Sequence, residues 1–131
     1  MAVDTSALVP IALGEPSRPR LLDALETARV RALSAVSLLE AGMVLRACLG
    51  PAASALLYQL VSDLVTEVVP FDEPQATRAV EAFGRFGKGT SHPAQLNFGE
   101  CAVYALAASR SDSVPATGDD FAATDLRVHK P

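Results

Sequence analysis

The stretch MAVDTSALVP (residues 1–10) decides the fold. Three apolar residues lead to one acid, Asp4, then to two hydroxyls, Thr5 and Ser6, and then to a renewed apolar run. Residues 1–3 are too few for periodicity to classify. Their reading as a buried first strand rests on the acid and the apolar run at residues 4–13, because an acid beside a helix N-terminus is stabilised by the helix dipole. Residues 5–13 then read as a short helix stopped near Gly14 and Pro16.

The same alternation continues along the chain. SRPRLLDALETA (17–28) sets Leu21, Leu22 and Leu25 on one helical stripe, and VRALS (30–34) reads as a strand. SAVSLLEAGMVLRACLG (34–50) is a helix ended by Gly50 and Pro51, and PAASALLYQLVSDL (51–64) is another, with Pro51 suited to its first turn. VTEVVPF (65–71) is β-branched and reads as a strand. DEPQATRAVEAFGRFG (72–87) is a helix with acids in its first turn, and residues 87–93 form a loop. NFGECAVYALAASR (97–110) is a helix with Asn97 as its cap. SVPAT (113–117) is a short strand despite Pro115, GDDFAAT is a turn with a helical stub, and LRVHKP (126–131) is an edge strand. Strands alternating with helices predict an α/β fold, with helices on the faces of a mostly parallel sheet. At 131 residues the chain is expected to form a single domain, 1–131.

Composition narrows the function. Half the residues are hydrophobic, which argues for a packed core. Trp is absent and aromatics are few, so a stacking platform for single-stranded nucleic acid is not expected. A formal charge of −4 does not describe a general nucleic-acid binder, although Arg78, Arg85 and Lys88 lie close to one helical face, where Arg46 and His92 can join them. That patch reads equally as a solvated helix face or as a phosphate-tracking surface. Cys48 and Cys101 have no zinc spacing and read as small core residues of a cytoplasmic protein. No charged leader and no run of about 20 apolar residues is present, so neither a signal peptide nor a membrane span is expected.

The acids carry the chemistry. Asp4 follows the first strand, Glu40 lies early in the helix after the second, Glu100 opens the helix at Asn97, and Asp119, Asp120 and Asp125 flank the last strand-to-helix turn. Each alone is explained by helix capping: Ser37-x-x-Glu40, Asn97-x-x-Glu100 and, more weakly, Thr117-x-x-Asp120 all fit the capping-box spacing. Capping does not explain the set. In an α/β sheet these positions share the carboxyl rim, where ligands bind. A carboxylate pair about 4 Å apart costs about 4 kcal/mol at an effective dielectric near 20. Several such pairs exceed what a stability of about 5–15 kcal/mol tolerates. Neither Lys nor Arg adjoins Asp4, Glu40 or Glu100 in sequence, so a divalent cation is the expected counter-charge. Oxygen-only ligands favour Mg²⁺ or Mn²⁺, a chemistry suited to attack by water on a phosphodiester.

VDTSAL (3–8), SLLEAG (37–42), LNFGEC (96–101) and TGDDFAATDL (117–126), in this order and spacing, resemble the four acidic motifs of PIN-domain ribonucleases, nearest to VapC toxins of VapBC toxin–antitoxin pairs. EVVPFDEPQA and FGKGTSHPAQLNFG are also typical of them, so the resemblance covers nearly the whole chain. It implies a three-layer α/β/α sandwich and a Mg²⁺- or Mn²⁺-dependent endoribonuclease. It also implies neutralisation by a VapB-type antitoxin, an RNA substrate and a homodimer. By position Asp4, Glu40 and Glu100 correspond to the first three acids and Asp119 or Asp120 to the fourth. Ser6 or Thr117 would bond a carboxylate or a bound water, Arg46, Arg85 and Lys88 would position phosphates, and Asp125 is a more distant candidate. The third acid is usually Asp, and Glu100 reaches one methylene further. A second reading therefore stands beside the nuclease: a catalytically weak PIN-fold module that binds its partner through the apolar faces of AGMVLRACL and AASALLYQLVSDL.

Overall fold

The computed structural model describes residues 1–115 and 117–129. Its elements are β1 (Ala2–Val3), α1 (Thr5–Leu13), α2 (Arg18–Glu26), β2 (Ala32–Ser34), α3 (Ala35–Leu49), α4 (Ala53–Leu64), β3 (Glu67–Val69), α5 (Glu73–Phe86), α6 (Phe98–Arg110), β4 (Ser113–Pro115) and β5 (Arg127–His129). Short 3-10 turns occupy Gly50–Ala52 and Phe121–Ala123. The expected strands over 113–117 and 126–131 extend to positions 116, 130 and 131, which lie outside the described residues.

All ladders are parallel, as the alternation predicts, but they form two sheets. β1, β2 and β3 pair in that order, with Ala2 opposite Ala32, Val3 opposite Leu33 and Leu33 opposite Val68. Among the described residues β4 pairs with β5 alone, Val114 opposite Val128, and lies beside β1 without joining its ladder. β1 contributes just two residues, and β4 ends on Pro115, which has no N–H to donate.

Side chains alternate across the strands with period two and separate two cores. Ala2, Ala32 and Val114 face α5 and α6, where Phe86, Leu96, Val103, Tyr104, Leu106 and Phe121 close one cluster. Val3 and Leu33 face the other way, onto Leu8 and Ile11 of α1, Leu21 and Leu25 of α2, Leu45 of α3 and Leu57 of α4. The result is three layers, helices–sheet–helices.

Helix caps set the rim. α1, α3 and α5 leave the carboxyl ends of β1, β2 and β3, capped by Asp4, Ser34 and Asp72. α3 starts earlier than the Ser37 capping box implies: Ser34 Oγ accepts from Val36 N at 3.2 Å, and Ser37 is buried inside the helix. α6 runs the opposite way. Arg110 in its last turn meets Glu67 at the start of β3, at 2.8 and 2.9 Å, so its first turn returns to the carboxyl rim.

Within the thirty-residue run Ala35–Leu64 one 18-residue window has a mean hydropathy of 1.4. The run does not form one rod. Gly50 adopts φ +72°, a conformation open to glycine, and the turn there divides the run into α3 and α4, which pack together. At 1.5 Å per residue these span about 22 and about 18 Å, and neither reaches across a hydrocarbon layer of about 30 Å. Leu39, Met43 and Tyr58 stand exposed on this pair. Cys101 is buried as expected, whereas Cys48 is exposed, because it falls on the outer face of α3.

The layers set the response to truncation. Leu45→Ala, inside the α1–α4 core, is expected to lower unfolding free energy by about 2–5 kcal/mol. Leu39→Ala, six residues earlier on the exposed face, is expected to change it by less than about 0.5 kcal/mol. Urea denaturation of both variants measures the difference.

Candidate functional site

Asp4 sits where β1 becomes α1, and only 5% of its surface is exposed. Its Oδ1 accepts from Thr5 N at 2.8 Å, which is the helix cap. Its Oδ2 accepts from Ser6 Oγ, and Ser6 Oγ lies 2.6 Å from Thr117 Oγ1. One oxygen thus starts a helix, while the other is tied through two hydroxyls to the segment after β4. Thr5 Oγ1 donates to the Ser37 carbonyl at 3.2 Å, linking the first turns of α1 and α3. Ser37 Oγ is buried there with no hydrogen-bond partner among the described residues.

Glu40 projects from the second turn of α3 against the first turn of α6. It lies over Gly99, where a Cβ would sit 2.8 Å from both Cδ and Oε1 of Glu40 and closer still to Oε2. Gly99 is a space requirement, not a backbone one: its absent side chain makes room for a carboxylate. Glu100, the next residue, completes the capping box predicted from Asn97. Asn97 Oδ1 accepts from Glu100 N at 2.9 Å, and Glu100 Oε2 accepts from Asn97 N at 2.8 Å. Glu100 also meets Asp120 side chain to side chain. Of the adjacent pair, Asp120 therefore faces α6, whereas the main-chain carbonyl of Asp119 accepts from Ala123 N and closes the turn. The weak Thr117 capping box is not formed, since Thr117 is bonded to Ser6 instead.

Electrostatics records this crowding. Burial pushes the Asp4 carboxyl above its usual range, the negative Glu40 nearby adds to the rise, and the Ser6 hydroxyl offsets part of it. Glu100 is pushed up to about 7, chiefly by burial, then by Asp120 and Asp4, against the lowering effect of its bond from Asn97. Among the described residues, none of Asp4, Glu40, Glu100, Asp119 and Asp120 forms an ion pair with a Lys, Arg or His. The carboxylates approach in pairs, Asp4 with Glu40 and Glu100 with Asp120 and Asp4, and no three are closed around one point as a ready-made ligand set among the described residues.

Asp125 is elsewhere. It accepts from Tyr104 Oη at 2.7 Å and from Arg85 at 3.2 Å, on the α5–α6 side. Arg85 is thereby paired with Asp125, with both side chains more than half exposed. His92 is also engaged locally: its Nδ1 accepts from Ala94 N, and its ring meets the Phe86 ring at 4.7 Å. Lys88 falls beyond the end of α5, so the row Arg78, Arg85, Lys88 is not one helical face. Sequence reasoning missed Gly99 and Tyr104. A glycine in the first turn of a helix, beside an acid and away from any turn, was the available signal for the first.

The PIN domain family model matches residues 1–126. The chain is 42% identical over 127 residues to ribonuclease VapC28 of Mycobacterium tuberculosis, covering 97% of this chain and 96% of that protein. It is 37% identical to ribonuclease VapC42 of the same species, covering 97% of each. Among solved structures it superposes on VapC20 of M. tuberculosis, a sarcin-ricin-loop-cleaving toxin, with TM-score 0.79 and 20% identity, covering 99% of this chain and 98% of that one. It also superposes on VapBC2 of Rickettsia felis bound to promoter DNA, with TM-score 0.73 and 14% identity, covering 98% and 96%. A buried strand-end acid, three further acids brought to one rim and this pattern of likeness place the chain in the PIN-domain family, among its VapC-type ribonucleases.

Proposed function

We propose that the rim formed by Asp4, Glu40, Glu100 and Asp120 is the divalent-metal site of a VapC-type endoribonuclease, the toxin of a VapBC pair. The observation that carries the reading is a set of converging carboxylates with no cationic neighbour among the described residues. VapC-type PIN ribonucleases depend on a divalent metal, and the all-oxygen donor set here favours Mg²⁺ or Mn²⁺. Residues 1–131 act as one PIN domain in this reading.

Asp4, Glu40, Glu100 and Asp120 would hold the ion, which when bound would supply Lewis-acid polarisation of a phosphate and a more acidic water. The protein's own part is positioning. Ser6 fixes the outward oxygen of Asp4, and Gly99 leaves room for Glu40. The extra methylene of Glu100, the departure from the usual Asp, lets one carboxylate serve two ends: Oε2 caps α6 while the group still reaches Asp120. In the metal-free chain Glu100 keeps its proton to about pH 7, so cation binding is linked to proton release. Asp119 and Asp120 are both exposed, and Asp120 is preferred because its charge bears on Glu100. A VapB-type antitoxin is the partner, and the exposed apolar surface of α3 and α4 around Leu39, Met43 and Tyr58 is the face available to it.

Three measurements test the reading. Asp4→Asn keeps a capping oxygen but removes the charge. It is expected to cut metal-dependent cleavage of a fluorescent RNA about a hundredfold or more without lowering the metal-free melting temperature. Undiminished cleavage would remove Asp4 from the site.

The second concerns pH. The folded pKa of Glu100 lies above its unfolded value of 4.5, so the native state binds more protons between about 4.5 and 7. Metal-free stability is therefore full at the acid end of that window and falls as pH rises through it. Glu100→Gln keeps the capping box and should flatten that fall in calorimetry. Mn²⁺ should raise the melting temperature of the wild type more at pH 8 than at pH 5.5.

Gly99→Ala provides the third. Alanine suits a helix better than glycine by up to about 1 kcal/mol, and the atoms it meets are the end of a flexible side chain. The variant is expected to fold as stably as the wild type yet bind Mn²⁺ at least about tenfold more weakly, because Glu40 is displaced. Unchanged affinity by calorimetric titration would place Glu40 outside the site.

A further inference from the structure

Asp120 needs something to hold it. Between Thr117 and Leu126 the chain contains one 3-10 turn of three residues, and Asp119, Asp120, Ala122 and Ala123 are exposed. Such a segment has little of its own to fix where along α6 it lies. Three anchors do so from outside. Thr117 is bonded to Ser6 at one end. Phe121 is buried in the α5–α6 core. At the far end Asp125 accepts from Tyr104 Oη at 2.7 Å and from the Arg85 guanidinium at 3.2 Å.

Spacing gives the last anchor its meaning. Glu100 and Tyr104 are four residues apart on α6, on one face and one turn apart. Asp120 and Asp125 meet them in the same order, Asp120 at Glu100 and Asp125 at Tyr104. The segment is thus laid along α6 at two points, and the second contact sets the register of the first. Tyr104 is itself rigid: it is 7% exposed and packs on Phe86 at 5.3 Å between ring centres. Arg85 lies 4.5 Å above the Phe86 ring and 3.4 Å from the Tyr104 hydroxyl, so its fork is preset to hold the second oxygen of Asp125. The Tyr104–Asp125–Arg85 contact thus fixes where along α6 the segment lies.

We propose that Tyr104 and Arg85 are positioning residues which, through Asp125, lock the 117–126 segment in register along α6 and so deliver Asp120 to the acidic rim. The inference rests on the metal-site reading above and assigns these three residues no contact with ion or RNA.

The test uses the full chain and Mn²⁺ as probe. Tyr104→Phe removes one oxygen and leaves the ring in its core. Mn²⁺ affinity, read by titration calorimetry, is expected to weaken about tenfold or more, and kcat for RNA cleavage to fall comparably with KM unchanged. Asp125→Asn, which keeps an acceptor for the tyrosine hydroxyl, should fall between wild type and Tyr104→Phe, whereas Asp125→Ala should match Tyr104→Phe. Asp120→Asn should cost less in the Tyr104→Phe background than in the wild type, a non-additivity that a general loss of stability does not produce. Should Tyr104→Phe fail to fold, Asp125→Ala at its exposed position gives the same answer. Wild-type Mn²⁺ affinity in Tyr104→Phe and Asp125→Ala, alongside a loss in Asp4→Asn, would overturn the register lock and leave the metal site standing. A wild-type chain that binds no Mn²⁺ would overturn both.

Discussion

Repulsion between like charges at one edge of a sheet is the constraint around which this molecule is organised. Asp4, Glu40, Glu100 and Asp120 come from four separate parts of the chain, and bringing their charges together is unfavourable unless a proton, a hydrogen bond or an opposite charge relieves it. Backbone hydrogen bonding is what forces the approach. The amide of Thr5 holds Asp4, and the amide of Asn97 holds Glu100, each because a helix begins there and its first N–H groups have no partner within the helix. Helix capping therefore does two tasks with one set of side chains, satisfying local donors and collecting charge.

Local features were legible in the sequence and long-range ones were not. The capping box at Asn97 and Glu100 was readable because its partners are three residues apart, and the stop at Gly50–Pro51 because those two residues disfavour helix continuation on their own. Element order followed from alternation of pattern, so the three layers were accessible without coordinates. Ser37 misled because Ser34 offers the same hydroxyl three residues earlier, and only the strand end shows which one the helix uses. The choice between Asp119 and Asp120 depends on how a three-residue turn is rotated against α6, which no spacing encodes. Arg85 looked like a free cation because its partner, Asp125, lies forty residues away in sequence. The break between the two sheets was also hidden, since β1 is too short for its pairing to be inferred from pattern.

The two sides of the sheet divide the work. The α1–α4 side is almost wholly aliphatic and gives the rim a stiff floor. The α5–α6 side carries the aromatic rings, the tyrosine hydroxyl and the arginine that hold the last segment. The departure at position 100 fits this division. A longer acid spans from the helix terminus to a loop on the far side, a distance the helix itself cannot adjust.

The bend between α3 and α4 has a consequence of another kind. The thirty residues Ala35–Leu64, which include an 18-residue window of mean hydropathy 1.4, would as one straight helix make a cylinder about 45 Å long, long enough to cross a hydrocarbon layer. Gly50 and Pro51 interrupt it near the middle. Two residues far from the chemistry thus divide one long apolar rod into two short helices, each of which can lay a face on the sheet.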